Sequence, residues 1–416
     1  MNFFVQIKKI KNSELLILLS VCMMALLRTV AYSYLADFIA IDLISKIVWC
    51  IEFVLVAMAI VIHDKIDYLV FYVASIAVLM LASIMTDGIR TVILLAMLLY
   101  ACKDVNVDII IKYMTLVLSA ACVLVVICYY AGLFEAVDVS ELYSRSDGLY
   151  RMSLGFSYVT YASNFFLTIV LCWLYLNRNK RVNFLMYLLM FAINYFLYIT
   201  TDTRAVYYLV ILVLLCGIIC QGKKTDVFEY KNIRIISLLL YPAFAIIAIV
   251  TSYVYSPHIK VLEKINNMLS GRLRLGKEGL EKYGIHLLAQ KIEFKTTDYY
   301  GTGDYFYIDS SYLQIALKFG LLSLVVILLI YMIILNQALI EKNVMFVFVM
   351  LIIGVHSIID PQLFDVVYTP FILLFGQSLK KIIYNVQPMM YKRIRSKRLI
   401  KLVMLRRFYV VDSYDK

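Results

Sequence analysis

Apolar runs of about 20 residues fill most of this chain, and short polar connections separate them. A run of that length crosses the hydrocarbon core of a bilayer as an α-helix, in which every backbone hydrogen bond is satisfied within the segment. Hydrophobic residues occupy 63% of the 416 positions, more than in a typical soluble protein. The runs are unbroken rather than alternating, which excludes a transmembrane β-barrel. The sequence therefore predicts an all-α polytopic membrane protein.

We recognise about twelve transmembrane spans, of which the fourth is short. They lie near 13–33, 43–62, 67–86, 89–103, 108–131, 157–177, 182–201, 204–221, 234–254, 309–336, 342–359 and 365–385. The first span follows three lysines and lacks a small-residue cleavage site, which is typical of a signal anchor rather than a cleaved signal peptide. No repeat or linker divides the chain, so we expect a single integral membrane domain, 1–416.

Every second connection between spans is rich in lysine and arginine, and this alternation predicts the orientation of the chain. The connections of one set carry Lys65, Lys103, Arg178, Lys180, Arg181, Lys223, Lys224, Lys231, Arg234 and Lys342, and a basic tail follows at 386–416. The connections of the other set carry few basic residues. We therefore expect both termini on the cytoplasmic side of a bacterial cytoplasmic membrane. The same bias accounts for the net charge of +12, so no nucleic-acid partner is expected.

The spacing of the cysteines does not indicate a metal site, and no nucleotide-binding motif indicates a cofactor. All eight cysteines lie in or at the ends of apolar runs, without the spacing of a zinc site, and we interpret them as buried thiols rather than disulfides. No GxxxxGK[ST] sequence is present, which argues against ATPase activity. We therefore expect no cofactor and no metal.

Two long loops are predicted on the outer side, at 132–156 and 256–308. The second loop is rich in lysine and arginine, although the topology of the chain does not require positive charge there. Positive charge at a lipid surface suits an anion, and we expect that anion to be a lipid-linked phosphate or pyrophosphate.

A short helix is predicted within the second loop, with Ser270 as its N-cap and Gly284 as its C-terminal stop. Arg274 and Glu278 are four residues apart and are able to pair. Arg272 falls in the first turn, where the helix dipole is already positive. That placement is favourable if Arg272 and the helix N-terminus together bind a phosphate. The alternative is that Arg272 is a solvated surface arginine.

Two further arginines are predicted at the outer ends of spans, Arg151 and Arg204. Each alone is typical of an interface anchor that snorkels to the membrane surface. Together with Arg272 they form a set of guanidinium groups, which bind pyrophosphate oxygens in a fork geometry. Asp309 opens the tenth span, where it either caps the helix or orients and deprotonates a sugar hydroxyl.

The remaining polar positions give weaker signals. Asp360 precedes Pro361 at the end of a span, and we interpret the pair as a structural turn. His286 is the best histidine candidate for a site. Several tyrosines between 298 and 307 have rings that are able to stack on sugars.

Four short segments, in this order, resemble the O-antigen and capsular polysaccharide polymerases of the Wzy type, which are related to the O-antigen ligases. The segments are Arg151-Met152-Ser153-Leu154-Gly155-Phe156, Thr201-Asp202-Thr203-Arg204, Ser270-Gly271-Arg272 with Lys277-Glu278, and Asp309-Ser310-Ser311-Tyr312-Leu313-Gln314. The number of spans and the position of the large loop also fit that family. The O-antigen ligases are similar at this element but carry a His-Asn pair there. This chain has Asp309-Ser310 instead, which favours a polymerase.

The resemblance implies a GT-C-like fold and an inverting glycosyl transfer without metal. A growing glycan on undecaprenyl pyrophosphate is the implied donor, and a new lipid-linked repeat unit is the acceptor. A chain-length regulator and a flippase are candidate partners. The implied catalytic residues are Arg272, Arg204, Arg151 and Asp309, and the implied substrate-binding residues are Arg274, Lys277, Glu278, His286 and Tyr312.

Two alternatives stay open at this point. A ligase that moves finished glycan to another acceptor would use nearly the same residues. A flippase, which is a transporter, would place charged residues inside the spans along a central cavity. The charges of this chain cluster at the outer ends, and the spans hold few, namely Arg28, Lys46, Glu52, Lys112 and Lys318.

Overall fold

The computed structural model describes residues 11–63, 89–134, 151–295 and 305–382, and within these residues it contains helices and turns but no β-strand. The helices are α1 (Asn12–Ala31), α2 (Ile41–His63), α3 (Ile89–Ala101), α4 (Val107–Tyr130), α5 (Tyr161–Leu176), α6 (Phe184–Thr201), α7 (Arg204–Cys220), α8 (Lys231–Tyr253), α9 (Lys260–Met268), α10 (Arg272–Tyr283), α11 (Ser311–Ile340) and α12 (Val344–His356). Short 3₁₀ turns occur at Tyr34–Phe38, Cys102–Asp104, Asp226–Glu229 and Pro370–Leu374.

Six of the described helices are long and apolar enough to cross a membrane, namely α1, α2, α4, α6, α8 and α11. Helices α5, α7 and α12 are apolar but shorter. This architecture fits a polytopic α-helical membrane protein. The span predicted near 67–86, the basic tail 386–416 and most of the first long loop lie outside the described residues, so the number of twelve spans stays a prediction.

The lysine-rich connections meet at one end of the helix bundle, which we call the basic end. There Arg178 forms an ion pair with Asp108, with its Nη2 2.8 Å from the carboxylate Oδ2. Lys342 contacts the carboxylate of Asp226 at 2.7 Å, and Lys380 pairs with Asp104. These contacts join connections that are far apart in sequence, as the charge alternation predicts for loops on a common side.

The connections predicted to be poor in basic residues meet at the opposite end. The Ser157 amide donates to the Tyr32 carbonyl at 3.0 Å, which joins the start of α5 to the end of α1. The Ser311 amide donates to the Ser357 carbonyl at 2.9 Å, which joins the start of α11 to the end of α12. The large loop with α9 and α10 also lies at this end, because the Lys277 ammonium donates to the carbonyl of Tyr255, just after α8.

Buried tyrosines fix the packing of the second half of the bundle. Tyr241, Tyr312 and Tyr331 have no exposed surface. Their hydroxyls donate to the backbone carbonyls of Met350, Gly354 and Leu363 at 2.6, 2.9 and 2.7 Å. A hydroxyl in an apolar interior needs such a partner, so each tyrosine specifies which stretch of a neighbouring segment it contacts.

Helix α10 lies closely against α8 and the segment before α11 because two of its residues are glycines. A Cβ at Gly276 would lie 2.5 Å from the Ser252 hydroxyl, and one at Gly279 would lie 2.8 Å from the Ile308 side chain. The helix ends at Gly284, as predicted. The predicted N-cap at Ser270 is wrong, because Gly271 caps the helix in the left-handed region with φ 84°.

A single π turn, Ile315–Phe319, interrupts α11 and ends at Gly320. Gly320 has φ 86° and ψ 164°, a region open essentially to glycine alone. The amides of Leu321 and Leu322 then donate to the carbonyls of His286 and Leu287 in the large loop. The interruption therefore fastens the large loop to a membrane helix.

Replacing Gly320 by alanine is expected to destabilise the fold by about 1–3 kcal/mol, because its backbone conformation disfavours any Cβ. The added Cβ would also lie 2.5 Å from the backbone carbon of Leu288. A lower thermal unfolding midpoint of the purified protein in detergent checks this. The control is Leu321→Ala, at a position 42% exposed on the outside of the same helix. Equal midpoints for the two variants would contradict the assignment.

Candidate functional site

A polar cavity of about 350 Å³ lies at the end of the bundle opposite the basic end. It is lined by the ends of α1 and α12, the start of α5, the first residue of α10 and the segments around α11. The lining residues are Tyr32, Ser157, Tyr158, Thr160, Tyr161, Asn164, Arg272, Tyr305, Tyr307, Asp309, Asp360, Pro361, Gln362, Asp365 and Tyr368. One guanidinium, three carboxylates and six tyrosines therefore share one space.

Arg272 and Asp309 form an ion pair in this cavity, with the arginine Nε 3.3 Å from the carboxylate Oδ2. The predicted helix-capping role of Asp309 is not observed, since Ser310 is the N-cap of α11 and Asp309 faces Arg272. The contact is made at the Nε edge of the guanidinium. The Arg272 side chain keeps 24% of its surface exposed, so a ligand in the cavity is able to reach it.

Burial and charge act in opposite directions on this pair. Burial raises the pKa of the Asp309 carboxyl, and the neighbouring Arg272 charge opposes that rise. Burial alone would lower the pKa of Arg272, but the charges of Asp309 and Asp360 raise it above its ordinary value. Arg272 therefore carries a fixed positive charge.

Asp360 is the most deeply buried carboxyl of the cavity, with 7% of its surface exposed. Its Oδ2 accepts a hydrogen bond from the Asn164 amide at 2.9 Å. Its Oδ1 has no partner among the described residues. Burial raises the pKa of Asp360 to about 7, against the opposing effect of the Arg272 charge. This side chain is therefore able to take up or release a proton near neutral pH.

Backbone contacts hold Asp360 in place. The Ser311 hydroxyl donates to the Asp360 carbonyl and accepts from the Leu363 amide at 3.0 Å. The turn after α12 is thereby fixed to the first residue of α11, two positions beyond Asp309.

Tyrosine rings form much of the cavity wall. The rings of Tyr32 and Tyr161 stack with centroids 4.4 Å apart, and Tyr158 packs on Tyr161 at 5.7 Å. Burial raises the pKa of Tyr158 and Tyr305, and that of Tyr307 to about 12. These three hydroxyls therefore stay protonated at physiological pH and are able to donate hydrogen bonds.

An ion pair between Arg28 and Asp365 connects this cavity to a second one. Arg28 Nη2 lies 2.7 Å from the Asp365 carboxylate Oδ2, and Nη1 donates to the Tyr32 hydroxyl at 3.1 Å. Asp365 and Tyr32 line the first cavity. Arg28 lines the second, a space of about 400 Å³ among α1, α2 and α3.

The three arginines predicted to act together are placed apart. Arg151 does not line the cavity, and its Nε donates to the Thr201 carbonyl at 2.8 Å. Its charge nevertheless acts on the lining residue Tyr158. Arg204 pairs with Asp202 at 3.0 Å and lines a different depression, beside α9. Arg272 is thus the member of the set that lines the cavity.

The predicted substrate-binding residues also lie outside the cavity lining. Arg274, Glu278 and His286 are exposed. Within the described residues Arg274 and Glu278 form no ion pair; on this helix Lys277 pairs with Glu281 at 3.7 Å. Tyr312 is completely buried and bonded to a backbone carbonyl, which leaves it no surface for a ligand.

Sequence reasoning missed most of the carboxylates and rings that define the cavity. The sequence predicts a structural turn at Asp360 and assigns no role to Asn164 or Asp365. The available signal was the position of each polar residue at the same end of an apolar run. Among the described residues, no group of three or more His, Cys, Asp or Glu side chains is arranged to hold a metal ion.

Asp360→Asn is expected to flatten the pH dependence of stability. The folded protein keeps a proton on Asp360 up to a pKa of about 7, whereas the ordinary value is 3.8. Between these values the free energy of unfolding should fall by up to about 1.4 kcal/mol per pH unit as pH rises. Asparagine does not titrate, so it adds no such fall to the free energy of unfolding.

Thermal unfolding midpoints measured from pH 5 to pH 8 check this prediction. The unfolding midpoint of the variant should rise relative to that of the unmodified protein as pH increases. Asp37→Asn, at an exposed carboxylate outside the cavity, serves as control. Parallel pH profiles for Asp360→Asn and the unmodified protein would contradict the proposed proton on Asp360.

Comparison with known proteins gives no match to a protein-family model, a curated protein or a solved structure.

Proposed function

We propose that this protein is a glycosyltransferase that polymerises glycan repeat units carried on a lipid pyrophosphate. The observation that carries the proposal is the cavity in which Arg272 meets Asp309 and Asp360 among tyrosine rings, at the end of an apolar helix bundle. Such a position suits a substrate with an apolar tail in the bilayer and a polar head at its surface.

The cavity wall suits a carbohydrate. Carboxylates and the amides of Asn164 and Gln362 are able to accept and donate hydrogen bonds to sugar hydroxyls. The faces of the tyrosine rings offer apolar contact area for a sugar ring, and their hydroxyls add donors. The cavity thus combines apolar contact with directional polar groups, as saccharide binding requires.

Asp360 is the proposed general base. The acceptor hydroxyl oxygen forms a bond to the anomeric carbon of the donor glycan, and the bond from that carbon to the pyrophosphate oxygen breaks. The pyrophosphate leaves with the bonding electron pair, and the hydroxyl proton passes to Asp360. A carboxyl with a pKa of about 7 and an unpartnered oxygen is well suited to that transfer.

Arg272 is the proposed electrostatic catalyst. Negative charge builds on the leaving pyrophosphate, and a fixed guanidinium in a partly buried site stabilises it more strongly than water does. In this scheme Asp309 positions Arg272 through the contact at Nε, and the exposed part of the guanidinium binds the oxygens of the ligand. Arg151 adds a more distant positive charge, through its effect on the region of Tyr158.

The proposal places the cavity at the outer face of a bacterial cytoplasmic membrane. The basic end of the bundle would then face the cytoplasm, in accordance with the positive-inside rule. The substrate in this scheme is an undecaprenyl-pyrophosphate-linked oligosaccharide, as the resemblance to the Wzy-type polymerases implies. A GT-C-like fold with twelve spans belongs to the same proposal.

Arg272→Gln is expected to lower the rate of chain extension by about 100-fold or more, because it removes the charge that stabilises the leaving group. Arg272→Lys should retain part of the rate, since it keeps the charge and loses the fork geometry. The measurement is polymer formation from lipid-linked repeat units by the reconstituted protein. Lys291→Gln, an exposed change in the same loop, is the control. Normal polymer length and yield with Arg272→Gln would refute this role.

Deletion of the gene tests the function directly, with the size distribution of lipid-linked and surface glycan as the readout. Loss of long chains, with single repeat units present outside the membrane, is the expected result. Long chains that stay on the lipid carrier and do not reach their final acceptor would instead identify a ligase.

A transporter of lipid-linked oligosaccharides is the second candidate, and the second cavity is the observation that favours it. That cavity lies among α1, α2 and α3 and is lined by Arg28, Lys46 and Glu52, which belong to apolar helices. Charged residues that face a cavity between spans are typical of a transport path. Repeat units trapped on the cytoplasmic face after gene deletion would establish transport and exclude polymerisation as the primary function.

A further inference from the structure

Helix α9 turns its polar side towards the protein. Asn266 is 4% exposed, and its side-chain amide donates to the Tyr255 hydroxyl at 3.2 Å. The same hydroxyl donates to the Glu263 carboxylate at 2.6 Å. The Asn266 side-chain oxygen also accepts from the Arg274 amide at 3.1 Å, which ties α9 to α10.

The opposite side of α9 is apolar and uncovered. Val261, Ile265 and Met268 are 69%, 38% and 76% exposed. Their spacing of four and three residues places them on one face of the helix. A helix on the surface of a soluble protein has the reverse arrangement, so water is an unfavourable neighbour for this face.

Basic residues flank the apolar stripe on one side. Lys260 and Lys264 are one helical turn apart and exposed. Together with Arg204 they line a shallow depression beside α9. Arg204 is the first residue of the apolar helix α7, and α9 follows within a few residues of Tyr253, the last residue of α8. Helix α9 therefore lies at the level where the membrane helices end.

We infer that α9 is an interfacial helix that docks on an anionic lipid surface. The apolar stripe enters the boundary between headgroups and acyl chains, and Lys260 and Lys264 reach the lipid phosphates. Each lysine near such a surface adds electrostatic attraction to negatively charged lipids. The partner is the bilayer itself, and the contact does not depend on which reaction the cavity carries out.

A second copy of the chain is a poorer occupant of this surface. A two-fold interface places the same patch on both partners, so two surfaces of net positive charge would meet in it. Anionic headgroups are complementary to the same residues.

The docking has a consequence for the site. Asn266 accepts through its backbone carbonyl from the Gly271 amide at 2.8 Å, next to Arg272. A helix held at the lipid surface thus sets the height of Arg272 above the membrane, where a lipid-linked pyrophosphate would arrive.

Photocrosslinking in nanodiscs tests the inference. The photoreactive residue p-benzoylphenylalanine replaces Val261 or Met268 in the full-length protein, in an equal mixture of phosphatidylglycerol and phosphatidylcholine. Lipid adducts are expected at both positions, with phosphatidylglycerol in excess, and are expected to be rare when the same residue replaces Lys282 on α10. Lys260→Gln and Lys264→Gln should each lower the phosphatidylglycerol excess by about fivefold, towards unity.

Each other outcome overturns the inference. Crosslinks between two copies would show a protein interface in place of the lipid contact. Equal lipid adducts at Lys282, or none at Val261 and Met268 in protein that elutes as a folded species, would show that α9 has no special place at the lipid surface. These readouts need no glycan substrate, so a failure of the proposed polymerase function would leave them unchanged.

Discussion

The contact between Arg272 and Asp309 is the interaction on which the site depends. It joins the first residue of the loop helix α10 to the segment before α11. Helix α10 approaches closely because Gly276 and Gly279 present no side chain. The large loop is fastened a second time where α11 is interrupted at Gly320. The cavity is therefore bounded by a loop that is anchored at two points, at Arg272 and at His286 and Leu287.

Low polarity around the cavity determines how its charges behave. A carboxylate taken out of water is costly unless a cation or a hydrogen bond compensates it. Asp309 is in direct contact with the Arg272 cation, and Asp360 has the Asn164 amide and the more distant Arg272 charge. Burial raises the pKa of both acids, and the Arg272 charge opposes that rise at each of them.

The sequence predicted the helices better than it predicted the site. Apolar runs have a length set by the bilayer, so α1, α4 and α8 fall close to their predicted bounds. The cap at Gly271 depends on a left-handed backbone angle, which residue type suggests only weakly. Arg151 and Arg204 occur at the predicted end of the bundle, but which loops meet there is decided by helix packing. For the same reason the sequence does not predict that Asp360 lies in one cavity with Asn164 and Arg272.

The hydrogen bond between Asn164 and Asp360 spans 196 positions of the chain. A ribosome makes the first partner long before the second, and the helices between them must enter the membrane in the meantime. During synthesis Tyr32, Tyr161 and Asn164 are therefore made before the three aspartates that complete the cavity. The cavity is accordingly incomplete until nearly the whole chain has been made, and a product truncated before Asp360 lacks part of its wall.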